Sequence, residues 1–517
     1  MRKLIYITVF ISGLTSLALE MAASRMLGNY FGTSNLVWAS IIGLILIYLT
    51  IGYFLGGAWA DRSPHYRTFF QILLWAAFSI AVIPLISRPI LRLAANAFDQ
   101  LELGVLAGSF TVVMVLFIVP VVLLGTASPF AIRLSIEDSS HAGSVSGHIY
   151  AVSTLGSFLG TFLPVLVLIP LVGTYRTFLI ISAILLVTAL AGLAITVSWR
   201  QALTYIWMPI VVALLAVFGI RGFDKSTEGL VYEKDSAYNY IQVLEQDGYH
   251  LLRLNEGQGV HSVYHPDRLN YYGPWEQVLV APFFNPAPYD PARVERMAIV
   301  GLAGGTTARQ ASAVFPNVQI DGIEIDPEIV AVGKEFFGMD LPNLNVIVQD
   351  GRWGLEHSPE RYQIISVDAY RPPYIPWHMT TREFFQSVQE HLTEDGVLVI
   401  NIGRGPDDRR LVDALGTTIG TVFPSIHVMD VPGSFNTILF ATNQETHYTN
   451  LKENFDRMVE SGDVHPLLVE SAFIALENLQ NPPQPSLVFT DDYAPVEWIT
   501  NSMIFDFFVT GDSQNLQ

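Results

Sequence analysis

The stretch MAIVGLAGGTTARQASAVFPNVQIDGIEID (297–326) decides how the second half of this chain folds. Residues 297–300 are a short apolar run, and Gly301, Gly304 and Gly305 follow it in a turn with little side chain. Residues 306–314 have helical composition, and 318–325 is a second apolar run that carries Glu324 and leads into Asp326. A bare turn after a strand lets a nucleoside lie against the backbone. An acid about 20 residues further on accepts hydrogen bonds from both ribose hydroxyls. The pattern predicts a strand, turn, helix and strand around a nucleoside-containing ligand. The same turn also occurs in α/β units that bind nothing. GLAGG is not GxGxxG, which favours a smaller nucleoside over a dinucleotide.

The chain around this unit is too long for one domain, at 517 residues. Hydrophobic residues make up 51% of it and mean hydropathy is +0.38, too apolar for a purely soluble protein. The apolar content is concentrated in the first 220 residues, whereas most of the net charge of −19 lies after residue 223. An acidic second half argues against nucleic acid, which needs a basic face. It is compatible with a cationic substrate, although acidic surfaces mostly serve solubility. With no cysteine, disulfides, thiolate nucleophiles and cysteine metal sites are excluded. No metal is expected.

Seven apolar spans precede the soluble half, at 4–27, 37–60, 69–86, 110–132, 148–171, 177–197 and 203–220. Each is near the ~20 residues that a helix needs to cross a bilayer. The first is too long and wrongly flanked for a cleaved signal peptide. Residues 87–106 are mixed and are expected at the interface or in a loop. The pairs Gly52/Gly56 and Gly156/Gly160 predict close helix packing. Glu20 lies inside the first span, where an unpaired carboxylate is costly, so it is expected to find a partner. Arg25 is on a different helical face and is expected to snorkel to the interface. The Lys and Arg count of the loops is nearly balanced and does not decide orientation.

After a linker near 221–233, residues 231–270 read as short strands with turns at 246–248 and 255–257. From 297 onward strands and helices alternate, the pattern of a parallel doubly wound sheet. VIVQDG (346–351) ends a third strand and YQIISVDAY (362–370) a fourth; a helix near 381–392, a strand at 397–402, a helix near 407–421 and strands near 426–429 and 437–441 follow.

This order of motifs resembles the S-adenosylmethionine type of Rossmann domain, and most of all the spermidine synthase family, the polyamine aminopropyltransferases. DSAYNYIQV (235–243), LLRLNEGQG (251–259) and YYGPWEQVLVAPFF (271–284) are similar to the family's strand, hairpin and helix before the core. FISGLTSLALEMAASRML (10–27), GYFLGGAWADR (52–62) and YAVSTLGSFLGTFLPVLVLIPLVGT (150–174) resemble proteins described as fused transporter/spermidine synthases. The fold implied is a multi-span helical membrane domain (1–222), a small β domain (223–290) and a Rossmann-like catalytic domain (291–517).

The resemblance implies decarboxylated S-adenosylmethionine, or S-adenosylmethionine, as co-substrate and a small amine as acceptor. It puts Glu324 on the ribose, Asp350 on the adenine amino group and the 301–305 turn on the thioether side, with Asp326 and Gly351 in the same donor set. Asp368 stands at the catalytic aspartate. Tyr238, Gln258, Tyr370, Arg371, Asp491 and Asp492 make up the implied acceptor set. Three departures stand out: Gly304 replaces a family aspartate, Arg371 a second carboxylate, and Tyr238-Asn239 the family's Tyr-Gln. Asp491, Asp492 and Glu497 are candidates to replace the missing acids, and His378 is a candidate base.

Three readings stay open. One is a membrane-anchored aminopropyltransferase. Another is an S-adenosylmethionine-dependent methyltransferase in which Arg371 pairs with the donor carboxylate. The last is a polyamine transporter or sensor without catalysis. A homodimer is expected by family likeness. The protein is expected in the inner or plasma membrane of a prokaryote. Donor supply favours a cytoplasmic catalytic half; a transporter-like cytoplasmic loop at 56–67 with seven spans argues the opposite.

Overall fold

A computed structural model describes residues 1–31, 35–101, 105–136, 141–219, 227–255, 259–370 and 374–510. The chain divides into two compact units, residues 1–227 with 233–240, and residues 228–232 with 241–517.

Among the described residues of the first unit, seven helices are long and apolar enough to cross a membrane: Arg2–Asn29, Val37–Arg62, Tyr66–Leu91, Phe110–Ser135, Ala142–Val172, Thr174–Thr196 and Trp199–Val217. A helix closes all its backbone hydrogen bonds within one segment, which hydrocarbon surroundings require. That requirement also corrects one expectation: residues 87–101 are not a loop, because helix Tyr66–Leu101 runs on through Pro84 and Pro89, while 102–104 lie outside the described residues. Both glycine pairs sit at helix contacts. A Cβ added at Gly156 would stand 2.0 Å from the carbonyl oxygen of Phe10, and one at Gly160 2.2 Å from that of Leu14. At Gly52 and Gly56 the nearest atoms would be Val122 O at 2.4 Å and Thr126 Cα at 2.6 Å. Gly156→Leu should therefore cost at least ~2 kcal/mol by overpacking. The thermal midpoint of the detergent-solubilised protein reads this out, and an unchanged midpoint contradicts the contact.

Arg25 has acceptors within the protein. Its guanidinium donates to the carbonyls of Ser236 (2.8 Å) and Tyr238 (3.1 Å), in the 233–240 segment that belongs to this unit. Asp235 in that segment accepts from Asn29 Nδ2 (3.2 Å) and Thr174 Oγ1 (2.7 Å). Backbone carbonyls far away in sequence and the Asp235 carboxylate, 3.7 Å from Nε, thus satisfy the cation. Glu20 departs from expectation as well: among the described residues its half-buried carboxylate has no hydrogen bond or ion pair.

The second half begins with a four-stranded sheet in the order β1 (Leu230–Asp235), β2 (Tyr240–Gln246), β3 (Tyr249–Leu254), β4 (Val260–Tyr264). The larger sheet has eight strands: β5 (Arg296–Val300), β6 (Gln319–Glu324), β7 (Leu344–Val348), β8 (Tyr362–Val367), β9 (Leu392–Gly403), β10 (Ser425–Asp430), β11 (Asn436–Thr442) and β12 (Leu479–Gln480). Their order is β12-β10-β11-β9-β8-β5-β6-β7. β5 to β9 pair in parallel. The sheet is mixed, since β11 runs antiparallel to β9 and β10, and β12 antiparallel to β10. This is the Rossmann-like fold of methyltransferase type, with a hairpin replacing the last parallel crossover.

Both faces of the sheet are covered, which is why its central strands read as continuous apolar runs. Met297, Ile299, Ile364, Val397 and Val399 enter one core; Ala298, Val300, Ile365, Val367, Leu398 and Ile400 enter the other. Helices Tyr448–Ser461 and Pro466–Glu477, which sequence reading left unassigned, cover the first face through Leu451, Met458, Leu468 and Ala472.

Candidate active site

The carboxyl ends of β5, β6 and β8 form the site, where open α/β sheets bind ligands. β5 ends in a turn that needs glycine. Gly301 has φ +92°, and a Cβ there would lie 2.6 Å from the carbonyl oxygen of Asp368. Its bareness lets the ends of β5 and β8 touch. Gly305, at φ +83°, starts helix Thr306–Val314. The amides of Gly301 and Leu302 donate to the carbonyl of Ile323 at 2.9 and 3.0 Å, tying the turn to β6. β4 docks on the turn as well: Gly304 N donates to Ser262 Oγ (2.8 Å), and Thr306 Oγ1 bridges Val263 N and O at 2.9 Å each. A Cβ at Gly304 would be 3.0 Å from Phe337 and from Ser262, so a side chain at this position has little room.

Glu324 ends β6 with its carboxylate buried against the turn. Oε2 accepts from Ala303 N and Oε1 from Asp326 N, both at 3.0 Å. Burial raises its pKa to about 7. Asp326 is fully buried and caps helix Pro327–Phe336 by accepting from Glu328 N at 3.0 Å. Asp350 caps the helix Gly351–Glu356 through Trp353 N (3.0 Å) and faces His378 Nε2 at 3.1 Å. A Cβ at Gly351 would be 2.6 Å from Val300 Cγ1, so the start of this helix packs directly on β5.

Asp368 follows β8. Its backbone amide donates to Val300 O (2.9 Å), and Oδ1 accepts from Asn401 Nδ2 (3.0 Å). Burial raises the carboxyl to about 6. The Tyr370 hydroxyl accepts from Gly403 N (2.7 Å) and donates to Asn401 O (3.1 Å); burial beside Asp368 pushes its pKa up.

A cavity of about 270 Å³ opens against these groups. Of the sequence candidates, Gly301, Asp368 and Tyr370 are in its wall. Glu324 stands behind Ala303, a wall residue, and Asp350 and Gly351 lie beside His378 rather than in the wall. Tyr238 belongs to the first unit and is about half exposed. Gln258 and Arg371 fall outside the described residues. Among the described residues no group of three His, Asp or Glu side chains suits a metal.

The acidic tail is committed elsewhere. Asp491 makes a forked pair with Arg352 at 2.7 and 2.9 Å and accepts from Thr381 Oγ1 at 2.7 Å, while Asp492 is exposed. The Arg352 hydrogen bonds hold the Asp491 carboxyl below the usual carboxylate range. A depressed acid stabilises the fold above its unfolded value near ~4, and that contribution disappears as pH falls through the lower folded value. Asp491→Asn should then cost about 1 kcal/mol at neutral pH, the scale of a forked but half-exposed pair. Urea midpoints of both proteins should converge in acid; a constant gap would contradict the pairing.

The cavity wall also holds His261, Ser262, Trp275, Asn401 and Asn436, which sequence reading missed. They come from β4, the segment after it, β9 and β11, so no local spacing links them to Asp368.

Residues 290–453 match the family described as the spermine/spermidine synthase domain. A probable polyamine aminopropyl transferase of Bifidobacterium longum (strain NCC 2705) is 33% identical over 307 residues, 56% of this chain and 66% of that one. A polyamine aminopropyltransferase of Vibrio vulnificus (strain CMCP6) is 29% identical over 222 residues, 41% of this chain and 70% of the relative. The crystal structure of a probable spermidine synthase from Corynebacterium glutamicum ATCC 13032 aligns with a TM-score of 0.39 at 19% identity, covering 54% of this chain and 94% of that one.

Proposed function

We propose that this chain, whose residues 290–453 match the spermine/spermidine synthase domain, is a membrane-anchored aminopropyltransferase. It moves the aminopropyl group of decarboxylated S-adenosylmethionine to a small amine. The observation that carries this reading is the Asp368 carboxylate, fixed by Asn401 in the cavity wall beside the glycine turn. An ammonium has no lone pair, so the acceptor must lose a proton before it reacts. A carboxylate in a confined, low-dielectric wall both attracts the ammonium and takes that proton. The freed nitrogen then attacks the methylene next to the sulfonium. A C–N bond forms, the C–S bond breaks, and its electron pair leaves with sulfur as methylthioadenosine.

Each oxygen of Glu324 accepts one amide hydrogen and keeps further lone-pair capacity for a ribose hydroxyl. Asp350, which caps helix Gly351–Glu356, is the residue we assign to the adenine amino group. Seven apolar helices support anchoring in a bilayer, and donor supply favours a cytoplasmic catalytic unit.

Calorimetry on the purified full chain separates this reading from methyl transfer. The decarboxylated donor should bind at least ~10-fold tighter than intact S-adenosylmethionine, about 1.4 kcal/mol. Tighter binding of the intact donor would overturn the reading in favour of a methyltransferase.

A further inference from the structure

The cavity wall is poor in negative charge. Among the described residues it contains one carboxylate, Asp368. Nearby acids are already engaged. Glu276 accepts from Tyr271 N (2.6 Å), Gly273 N (3.0 Å) and Gln310 Nε2 (2.8 Å). Glu324, behind Ala303, accepts from the amides of Ala303 and Asp326, and its remaining capacity is assigned to the donor ribose. An acceptor with two ammonium groups would thus bring a second cation into a wall whose described residues offer it no second anion, a costly desolvation.

The wall offers instead a neutral hydrogen-bond acceptor. The side chain of His261, on β4, makes no hydrogen bond among the described residues. Burial lowers its pKa to about 4, so at neutral pH the ring carries a lone pair and no charge. Ser262 is adjacent, with its oxygen accepting from Gly304 N. A ligand hydroxyl has the polarity that this ring lacks a partner for.

We propose that the acceptor carries a single positive charge and a neutral hydroxyl, as an amino alcohol does, with its nitrogen at Asp368 and its hydroxyl donating to the ring of His261. This rests on the aminopropyl-transfer reading. The ammonium gives its proton to Asp368, and the amine attacks the donor methylene. Sulfur leaves with the bonding pair, and the hydroxyl is unchanged in the product.

The test compares 4-aminobutan-1-ol with 1,4-diaminobutane, two acceptors that differ only in hydroxyl against ammonium. The assay is methylthioadenosine release by the full chain with the decarboxylated donor. The amino alcohol should have a kcat/KM at least ~10-fold higher, the scale of one well-formed hydrogen bond against an unmatched charge. His261→Leu should reduce that preference about 3–10-fold by removing the hydrogen bond, and His261→Asp should shift it at least ~10-fold toward the diamine by adding an anion. If wild-type protein uses the diamine as well as or better than the amino alcohol, the inference fails and aminopropyl transfer stands. If methylthioadenosine is released with no amine at all, both fail. The wild-type comparison needs no variant to fold.

Discussion

Asp368→Asn should lower methylthioadenosine release by about 10²–10⁴-fold, the usual worth of a positioned proton acceptor. The exchange is nearly isosteric, and the amide oxygen can still accept from Asn401 Nδ2, which now contacts Oδ1 at 3.0 Å. What disappears is the charge that attracts an ammonium and the basicity that deprotonates it. The pH profile adds a second signature. The folded carboxyl titrates at about 6, raised by burial, so kcat/KM should fall about tenfold per unit below that value and level off above it. Stability should move the other way. A raised acid favours the folded state at low pH, and that benefit is lost as pH rises through the ordinary carboxylate value toward 6. At neutral pH the wild type therefore bears a buried charge that the variant lacks, and Asp368→Asn should be more stable by about 1–3 kcal/mol. Full activity in this variant would remove the mechanism.

Glu324→Gln should weaken binding of the decarboxylated donor about 10–100-fold, because a hydrogen bond to a charged group is worth about 1.5–3 kcal/mol. The carboxylate accepts from two amides now and would accept from the ribose as well; an amide group loses that capacity on one side. Burial sets this carboxyl at about 7, so wild-type affinity should also fall as pH drops below that value. The variant should lose this pH dependence. Calorimetry reads both effects, and unchanged affinity would mean that Glu324 serves only to hold Ala303 and Asp326.

The parts of the fold that were legible in the sequence are those written in local pattern. The turn at 301–305, the strand ends at Glu324, Asp350 and Asp368, and seven apolar spans depend on neighbours in sequence. The parts that were not legible depend on distant partners. β10 and β11 read correctly as strands, but their antiparallel pairing with β9 is a long-range choice that alternation cannot encode. Residues 87–101 looked mixed because of Pro89 and Arg88, yet their backbone continues one helix. The acceptors of Arg25, on Ser236 and Tyr238, lie more than two hundred residues on. Asp491 sat in a loop rich in acids and aromatics, and its partner Arg352 lies 139 positions away. His261 and Asn401 gave no signal, because β4 and β9 meet only across the folded cavity.

The most direct test of aminopropyl transfer is product analysis by mass spectrometry. Purified full-length protein is incubated with an amine and, in parallel, with decarboxylated or intact S-adenosylmethionine. The account predicts methylthioadenosine and an aminopropylated amine from the decarboxylated donor, in equal amounts, and no methylated product from the intact one. S-adenosylhomocysteine and a methylated product from intact S-adenosylmethionine, with no methylthioadenosine from the other, would contradict it.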